Sequence, residues 1–317
     1  YLHAKFHFPL LKPLFDAFAE NHWPHLSTDV RDLADFGPQV TIVCDAPLER
    51  LKALAPETTT VNIRHGLAGR NFAKRTSRHA DYNCVSSNMA RDGIVATGAL
   101  PEDRIWVTGF AGNDPVFGGH PLPLSAAAAD GRKTVLYAPT HHRAFTSAAM
   151  LGERVASLIG GAREDLDLVI KPHPRTCEFR PGWMAAWERL AARDEHVHLV
   201  KDPAADIAPL LMAADVLVSD ASGVIFQYLA LDRPIVLIAN PQHARDKEHF
   251  DAGAIEWRWR DVGEEVTNVA DLAAAVGRAL ADPGKRAGKR AEYRKLLFDD
   301  LTDGGAVGRI VEEVGGL

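Results

Sequence analysis

Asp215-Val-Leu-Val-Ser-Asp-Ala-Ser-Gly-Val-Ile-Phe-Gln-Tyr-Leu-Ala-Leu-Asp-Arg-Pro-Ile-Val-Leu-Ile238 reads as a strand, a tight turn, a short helix and a second strand. Val216 to Val218 is an unbroken apolar run, as expected of a strand buried on both faces. Ser219, Asp220, Ser222 and Gly223 follow at its carboxyl end, and Ser222 is placed to cap a helix beginning near Val224. Asp232-Arg-Pro234 stops that helix, because proline cannot continue it, and Ile235 to Ile238 is the next buried strand.

A turn of small residues at a helix start leaves backbone N–H groups unpaired, where the helix dipole favours an anion. Gly223 carries no Cβ to hold an anion off. In an open α/β sheet, ligands bind outside the carboxyl ends of the strands. The stretch therefore predicts a phosphate cradle at Ser222 and Gly223; the bland alternative is an ordinary strand-to-helix turn with a serine cap.

Outward from this stretch the same alternation recurs. Strands are predicted at Val40–Val43, Val61–Ile63, Tyr82–Val85 and Ile105–Thr108, and again at Val135–Tyr137, Leu166–Ile170 and Val197–Val200. Helices are expected at Leu48–Leu54, from Ser86-Ser87 to Ala96, and at Met150–Ile159, Trp183–Ala192 and Leu272–Leu280. Two more close the chain, Glu292–Phe298 and Ala306–Val314. Tyr1–Phe8 is ambiguous and is read as a first strand, and Pro13–Glu20 as the opening turns of a helix. Repeated βα alternation argues for parallel sheets covered by helices. Gly118 to Arg132, with Gly118, Gly119, Pro121 and Pro123, interrupts the pattern. The domain reading is an N-terminal Rossmann-like domain over 1–120, a linker over 121–132, a C-terminal Rossmann-like domain over 133–290, and terminal helices over 291–317 that cross back to the first domain. The fold class is α/β, two Rossmann-like domains with a cleft between them.

The chain of 317 residues suffices for two such cores. It is 46% hydrophobic and 25% charged, the balance of a globular protein rather than a disordered or membrane-embedded one. A net charge of −6 argues against a general nucleic-acid binder. Cys44, Cys84 and Cys177 are isolated, with no metal-type spacing, which suggests a reducing, cytoplasmic setting. The chain starts at Tyr1 without a methionine, so a preceding leader or extension is expected to be missing.

Unusual residues gather at strand ends in both halves: Arg64, His65 and Gly66 in the first, and Thr140, Arg143, Lys171, His173, Ser222 and Gly223 in the second. Each has a bland rival. His65 could bond a neighbouring carbonyl, His173 lies between two prolines as a turn residue would, and Lys171 could be solvated. One of His141 and His142 is expected to be surface. His196 and His198 alternate on a strand and lack a visible third metal ligand. Trp257 and Trp259, flanked by Arg258 and Arg260, read as a half-buried strand, with an acceptor-facing stretch as the alternative.

These motifs together resemble the CDP-glycerol glycerophosphotransferases, the teichoic-acid polymerase type, of the glycosyltransferase B superfamily. The matching pieces come in family order over most of the chain. Arg64-His-Gly66 is similar to Trp-His-Gly, with Arg in place of Trp. Tyr82–Ser87 and Ile105–Asp114 are similar to the strand-Ser-Ser and Val-Thr-Gly-x-x-x-Asn-Asp segments. Tyr137-Ala-Pro-Thr140 with Arg143, Lys171-Pro-His-Pro174, Ser219–Phe226 and Asp303-Gly304 follow. One departure stands out: Gln227 occupies a position where the family has an acidic residue, which in many enzymes of this fold holds the nucleotide ribose. An amide still hydrogen-bonds hydroxyls.

The resemblance implies transfer of a glycerophosphate or related phosphoalditol from a CDP-activated donor to an acceptor hydroxyl, releasing CMP, in synthesis of teichoic acid or capsule polymer. His65 is then the general base, imidazole being the side chain that changes charge around neutral pH. His173 stands on the donor side with Thr140, Arg143, Lys171, Ser219, Asp220, Ser222, Gly223 and Gln227. The acceptor side takes Arg64, Gly66, Arg70, Asn113 and Asp114. No cofactor and no metal is expected beyond the CDP-activated donor, since no Asp-x-Asp metal pair is set in a candidate active loop. The acceptor is a polyol phosphate, a lipid-linked or a saccharide hydroxyl, and a peripheral position at the inner face of the plasma membrane is compatible with it. The alternatives are a UDP-N-acetylglucosamine 2-epimerase or nucleotide-sugar glycosyltransferase on the same fold, and a non-catalytic nucleotide-binding subunit, which Gln227 and Arg64 would favour.

Overall fold

A computed structural model describes residues 1–67, 78–119, 131–161 and 165–317. The chain divides into two compact units: Tyr1–Gly119 with Arg294–Leu317, and His120–Tyr293. The stretch read as a linker, 121–132, lies outside the described residues except for Gly131 and Arg132.

The first unit carries a parallel sheet of β1 (Val40–Cys44), β2 (Thr59–Ile63), β3 (Tyr82–Val85) and β4 (Ile105–Val107), in that order. One face is covered by Leu11 and Leu14 of the helix Phe8–Ala19 and by Ile310 of the helix Ala306–Gly315, packed with Val61, Ile63 and Cys84. Val30, Leu33, Leu48 and Leu51 gather around Val43 in a separate cluster. Gly304 makes the turn into the final helix at φ 73°, and a Cβ there would lie 2.9 Å from the Asp114 carbonyl oxygen and the Gly118 nitrogen, so only glycine fits.

The residues 1–8 are not a strand. Lys5–His7 forms a 3-10 turn that runs into the helix Phe8–Ala19. Pro9 stands in the first turn of that helix, where proline sacrifices no hydrogen bond and supplies a helical φ.

The second unit holds six parallel strands: β5 (Lys133–Tyr137), β6 (Leu166–Ile170), β7 (Val197–Leu199), β8 (Val216–Ser219), β9 (Ile235–Ile238) and β10 (Glu264–Val266). Their order is β10-β9-β8-β5-β6-β7. Numbered within the unit and read from the other edge, this is 3-2-1-4-5-6, the Rossmann order. β6, β8 and β9 are buried throughout, which is why their sequences are near-continuous apolar runs. Trp187, Leu151, Val155, Ile159 and Val276 cover one face.

Three local readings change. The helix expected at Met150–Ile159 is split by Gly152 (φ 53°) into Ala148–Leu151, a 3-10 turn and Val155–Gly160. Trp257 and Trp259 do not lie on a strand: Ile255–Arg258 is a helical turn, and Trp259 is buried with its ring stacked 4.4 Å from that of Tyr293. The alternation that suggested a strand came from packing two indoles, not from a period of two. The cap of the helix Val224–Tyr228 is Gly223 rather than Ser222.

Candidate active site

In a sheet of this order the chain reverses direction of build between β5 and β8, and a crevice opens outside their carboxyl ends. The turn Ser219–Gly223 sits there, beside the segment Ala138–Ser147 that follows β5. Asp220 holds the two together. Its buried carboxylate accepts hydrogen bonds from the backbone N–H of Thr140 (2.9 Å), Ser147 (2.7 Å) and Ala221 (2.8 Å) and from the Ser147 hydroxyl (2.9 Å). Burial raises its pKa from 3.8, against the pull of those donors. Ser219 likewise donates its hydroxyl to the Ala138 carbonyl at 2.7 Å. Ser219 and Asp220, expected to contact the donor, are thus occupied in building the turn.

Ser222 and Gly223 are partly exposed beyond that scaffold. Among the described residues, the Ser222 hydroxyl accepts a single long 3.5 Å contact, from Val224 N–H. The following helix spans five residues before a 3-10 turn, so its dipole is small and positive side chains must supply most of any anion binding. Lys171, at the end of β6, is buried, and its ammonium donates to the Asp202 carbonyl at 3.3 Å. Burial lowers its pKa from 10.5. Arg143 is exposed on the β5 segment, and Thr140 is buried on it.

His173 caps the helix Pro174–Phe179: its Nδ1 accepts from the Arg175 N–H at 3.2 Å. That fixes the tautomer, because a neutral ring accepting at Nδ1 carries its proton on Nε2 and is a donor there. The His141 ring lies 4.2 Å from it, centroid to centroid. Gln227 is buried within the short helix.

One cation stands where the sequence reading did not place it. Arg260 donates through Nη1 to the carbonyl of Asp220 and through Nε to Glu265 at 2.8 Å, while its Nη2 is buried with no hydrogen-bond partner among the described residues. A guanidinium clamped at the turn with one unmet nitrogen is a donor for an anion. The signal was the Arg-Trp-Arg run, whose strand reading obscured it.

In the first unit, Arg64, His65 and Gly66 follow β2 and meet Asp45, which follows β1. Asp45 adopts a left-handed φ of 47°. Its carboxylate meets the His65 Nδ1 at 2.5 Å, accepts from the His65 backbone N–H at 3.0 Å, and forms an ion pair with Arg64, whose Nε lies 3.2 Å away. Burial alone would raise its pKa, but the Arg64 charge and the His65 hydrogen bonds outweigh it and hold the carboxyl well below the usual range. Asp45 was missed in the sequence; only its place at a strand end marked it. Asn62 anchors the arrangement by accepting from Asp45 N–H at 2.9 Å.

Among the other residues expected on the acceptor side, a Cβ on Gly66 would meet nothing within 4 Å. Arg70 lies outside the described residues. Asn113 is buried in a turn, and Asp114 caps the final helix, accepting from Ala306 N–H (3.0 Å) and Val307 N–H (2.8 Å). Asp114 is therefore structural: Asp303-Gly304 and Asp114 together start that helix. His196 Nδ1 lies 3.0 Å from buried Asp167, which also pairs with Arg132.

Two parallel α/β units, the second in Rossmann order with Arg260 held at the turn after β8 and the first with a carboxylate-held histidine, define the class of fold. The chain belongs to the CDP-glycerol:poly(glycerophosphate) glycerophosphotransferase family, whose model matches residues 39–316. Among solved structures, a variant of the wall teichoic acid polymerase TagF is similar at 17% identity and a TM-score of 0.63, over 88% of this chain and 72% of that one. The same polymerase variant soaked with CDPG gives 17% identity and 0.60, over the same shares of the two chains. A UDP-N-acetylglucosamine 2-epimerase from Neisseria meningitidis bound to UDP-GlcNAc gives 15% and 0.57, over 98% of this chain and 90% of that one. At these identities the structural likeness speaks for fold alone. No curated protein sequence matches the chain significantly. No helix among the described residues is long and apolar enough to cross a membrane.

Proposed function

We propose that the protein transfers a glycerophosphate, or a related phosphoalditol, from a CDP-activated donor to an acceptor hydroxyl and releases CMP. The observation that carries this reading is the Asp45–His65 pair in a member of the glycerophosphotransferase family. With Nδ1–H committed to Asp45, the His65 lone pair lies on Nε2, the tautomer a general base requires. Nε2 takes the acceptor's proton as its oxygen attacks the distal phosphorus of the donor. The phosphoanhydride bond to CMP breaks, and CMP leaves with the bonding electrons. In the second unit, Lys171, Arg143, Arg260, the His173 Nε2–H and the Ser222–Gly223 turn bind the diphosphate and the charge that grows on its oxygens. Thr140 and Gln227 line the nucleotide side. The polymer served is a teichoic acid or capsule, with the acceptor at the inner face of the plasma membrane.

The test is CMP release from CDP-glycerol with a polyol-phosphate acceptor, alongside calorimetric titration with CDP and UDP. Wild-type protein is expected to bind CDP in preference to UDP. His65→Ala should keep that binding and lose CMP release by about 10²- to 10⁴-fold, the usual worth of a general base. Undiminished release from His65→Ala would refute the base assignment; preference for UDP would move the protein to nucleotide-sugar chemistry.

A further inference from the structure

The loop after β5 and the loop after β9 flank the turn at the end of β8. They bring His142 together with Asp246 and His249, about a hundred residues further along the chain. One ligand atom from each lies within 4.8 Å of the others. The Asp246 carboxylate faces both rings, with one oxygen 3.0 Å from His249 Nδ1 and the other 3.5 Å from His142 Nε2. Tetrahedral coordination at about 2.0–2.1 Å puts ligand atoms roughly 3.3 Å apart, and the two carboxylate–imidazole separations already lie near that value. The rings are already oriented: His142 stacks on Phe145 with centroids 4.3 Å apart, and His249 lies 4.7 Å from His142. The backbone N–H of His249 fixes the carboxylate from the side at 3.1 Å. Side-chain exposures of 20% for His142, 27% for Asp246 and 48% for His249 leave the cluster accessible to an ion from solvent.

We propose that His142, Asp246 and His249 form a binding site for one divalent transition-metal ion of the zinc class, with water or a ligand oxygen in the remaining position. Two imidazoles and one carboxylate suit zinc, cobalt or nickel, whereas magnesium demands a shell of oxygens. The site stands on residues that the phosphate-transfer reading does not use and does not depend on that reading. It also departs from the metal-free expectation drawn from the sequence, where no spacing relates residue 142 to residues 246 and 249.

The test is titration of chelator-treated, dialysed full-length protein with Zn²⁺ by calorimetry, and with Co²⁺ by visible absorption. One ion per chain is expected, with d–d bands of a low-coordinate nitrogen and oxygen site. His142→Ala and His249→Ala should each weaken Zn²⁺ binding at least tenfold, and the double variant should abolish it. Far-ultraviolet circular dichroism of the variants reports that they remain folded, and Asp246→Asn, which keeps the side-chain shape, supplies a second reading if an alanine variant does not fold. Absence of stoichiometric binding to the wild type, or binding unchanged in the double variant, overturns the proposal.

Discussion

Asp45 and His65 show how one carboxylate gives a histidine a single job. Asp45→Asn keeps the shape but turns one oxygen into a donor, which faces the His65 N–H groups and disfavours the Nε2-basic tautomer. CMP release should fall about 10²- to 10⁴-fold with donor affinity unchanged. Because the folded pKa of Asp45 is depressed, its stabilising contribution is present above the ordinary value of 3.8 and is lost as pH falls through the lower folded value. The melting temperatures of Asp45→Asn and wild type should therefore differ at neutral pH and converge in acid. Lys171 also has a depressed pKa, but there the shift disfavours the charged form. Burial depresses an ammonium pKa, so between that value and 10.5 the unfolded chain binds more protons and stability rises with pH. Lys171→Met removes the cost of burying a charge. It should melt no lower than wild type at pH 7, yet bind CDP roughly tenfold or more weakly, as loss of a charged hydrogen bond implies. A lower melting temperature with intact CDP binding would make Lys171 purely structural.

At the scale of elements, the second unit's crevice is a stitched junction rather than a helix terminus. Asp220 ties the segment after β5 to the turn after β8 with three hydrogen bonds and braces the turn itself with a fourth, from Ala221 N–H. Asp220→Ala leaves buried N–H groups unmet at about 1–3 kcal/mol each, so urea denaturation should show a loss of at least about 2 kcal/mol. Donor binding should fall with it, because Thr140 and the Ser222–Gly223 turn lose their common anchor. A helix of five residues has a small dipole, so an anion at this turn would depend more on side-chain cations such as Arg260, whose Nη1 donates to the Asp220 carbonyl. Arg260 comes from just before β10 and Lys171 from β6, elements on opposite sides of β8 and β5 in the sheet.

At the scale of the whole molecule, the first unit is discontinuous: it takes its last helix from the far end of the chain. Ile310 is 1% exposed and packs with Leu11, Leu14, Ile63 and Cys84. Ile310→Ala should cost about 2–5 kcal/mol, and hydrogen–deuterium exchange should show the lost protection in residues 1–119, with the second unit's sheet unaffected. Equal loss of protection in both units would mean that they unfold as one.

The sequence by itself determined the parallel α/β class, every strand from β1 to β9 within two residues, and the family. These follow from local facts: a strand covered on both faces must be an apolar run, and a turn at its end must be small and polar. It also placed His65, Lys171 and His173 at strand ends, where topology puts ligands. It misplaced the residues whose roles depend on distant partners. Asp220 and Asp114 looked like ligands because they are acidic residues in motifs, but backbone N–H groups 80 and 192 residues away occupy them. Asp45 and the His142–Asp246–His249 cluster were invisible, and Arg260 was legible only as the flank of a tryptophan pair, for the complementary reason. Their chemistry arises only when β1 meets β2, or when the loops around β8 converge, and no spacing along the chain encodes a meeting that the sheet order creates.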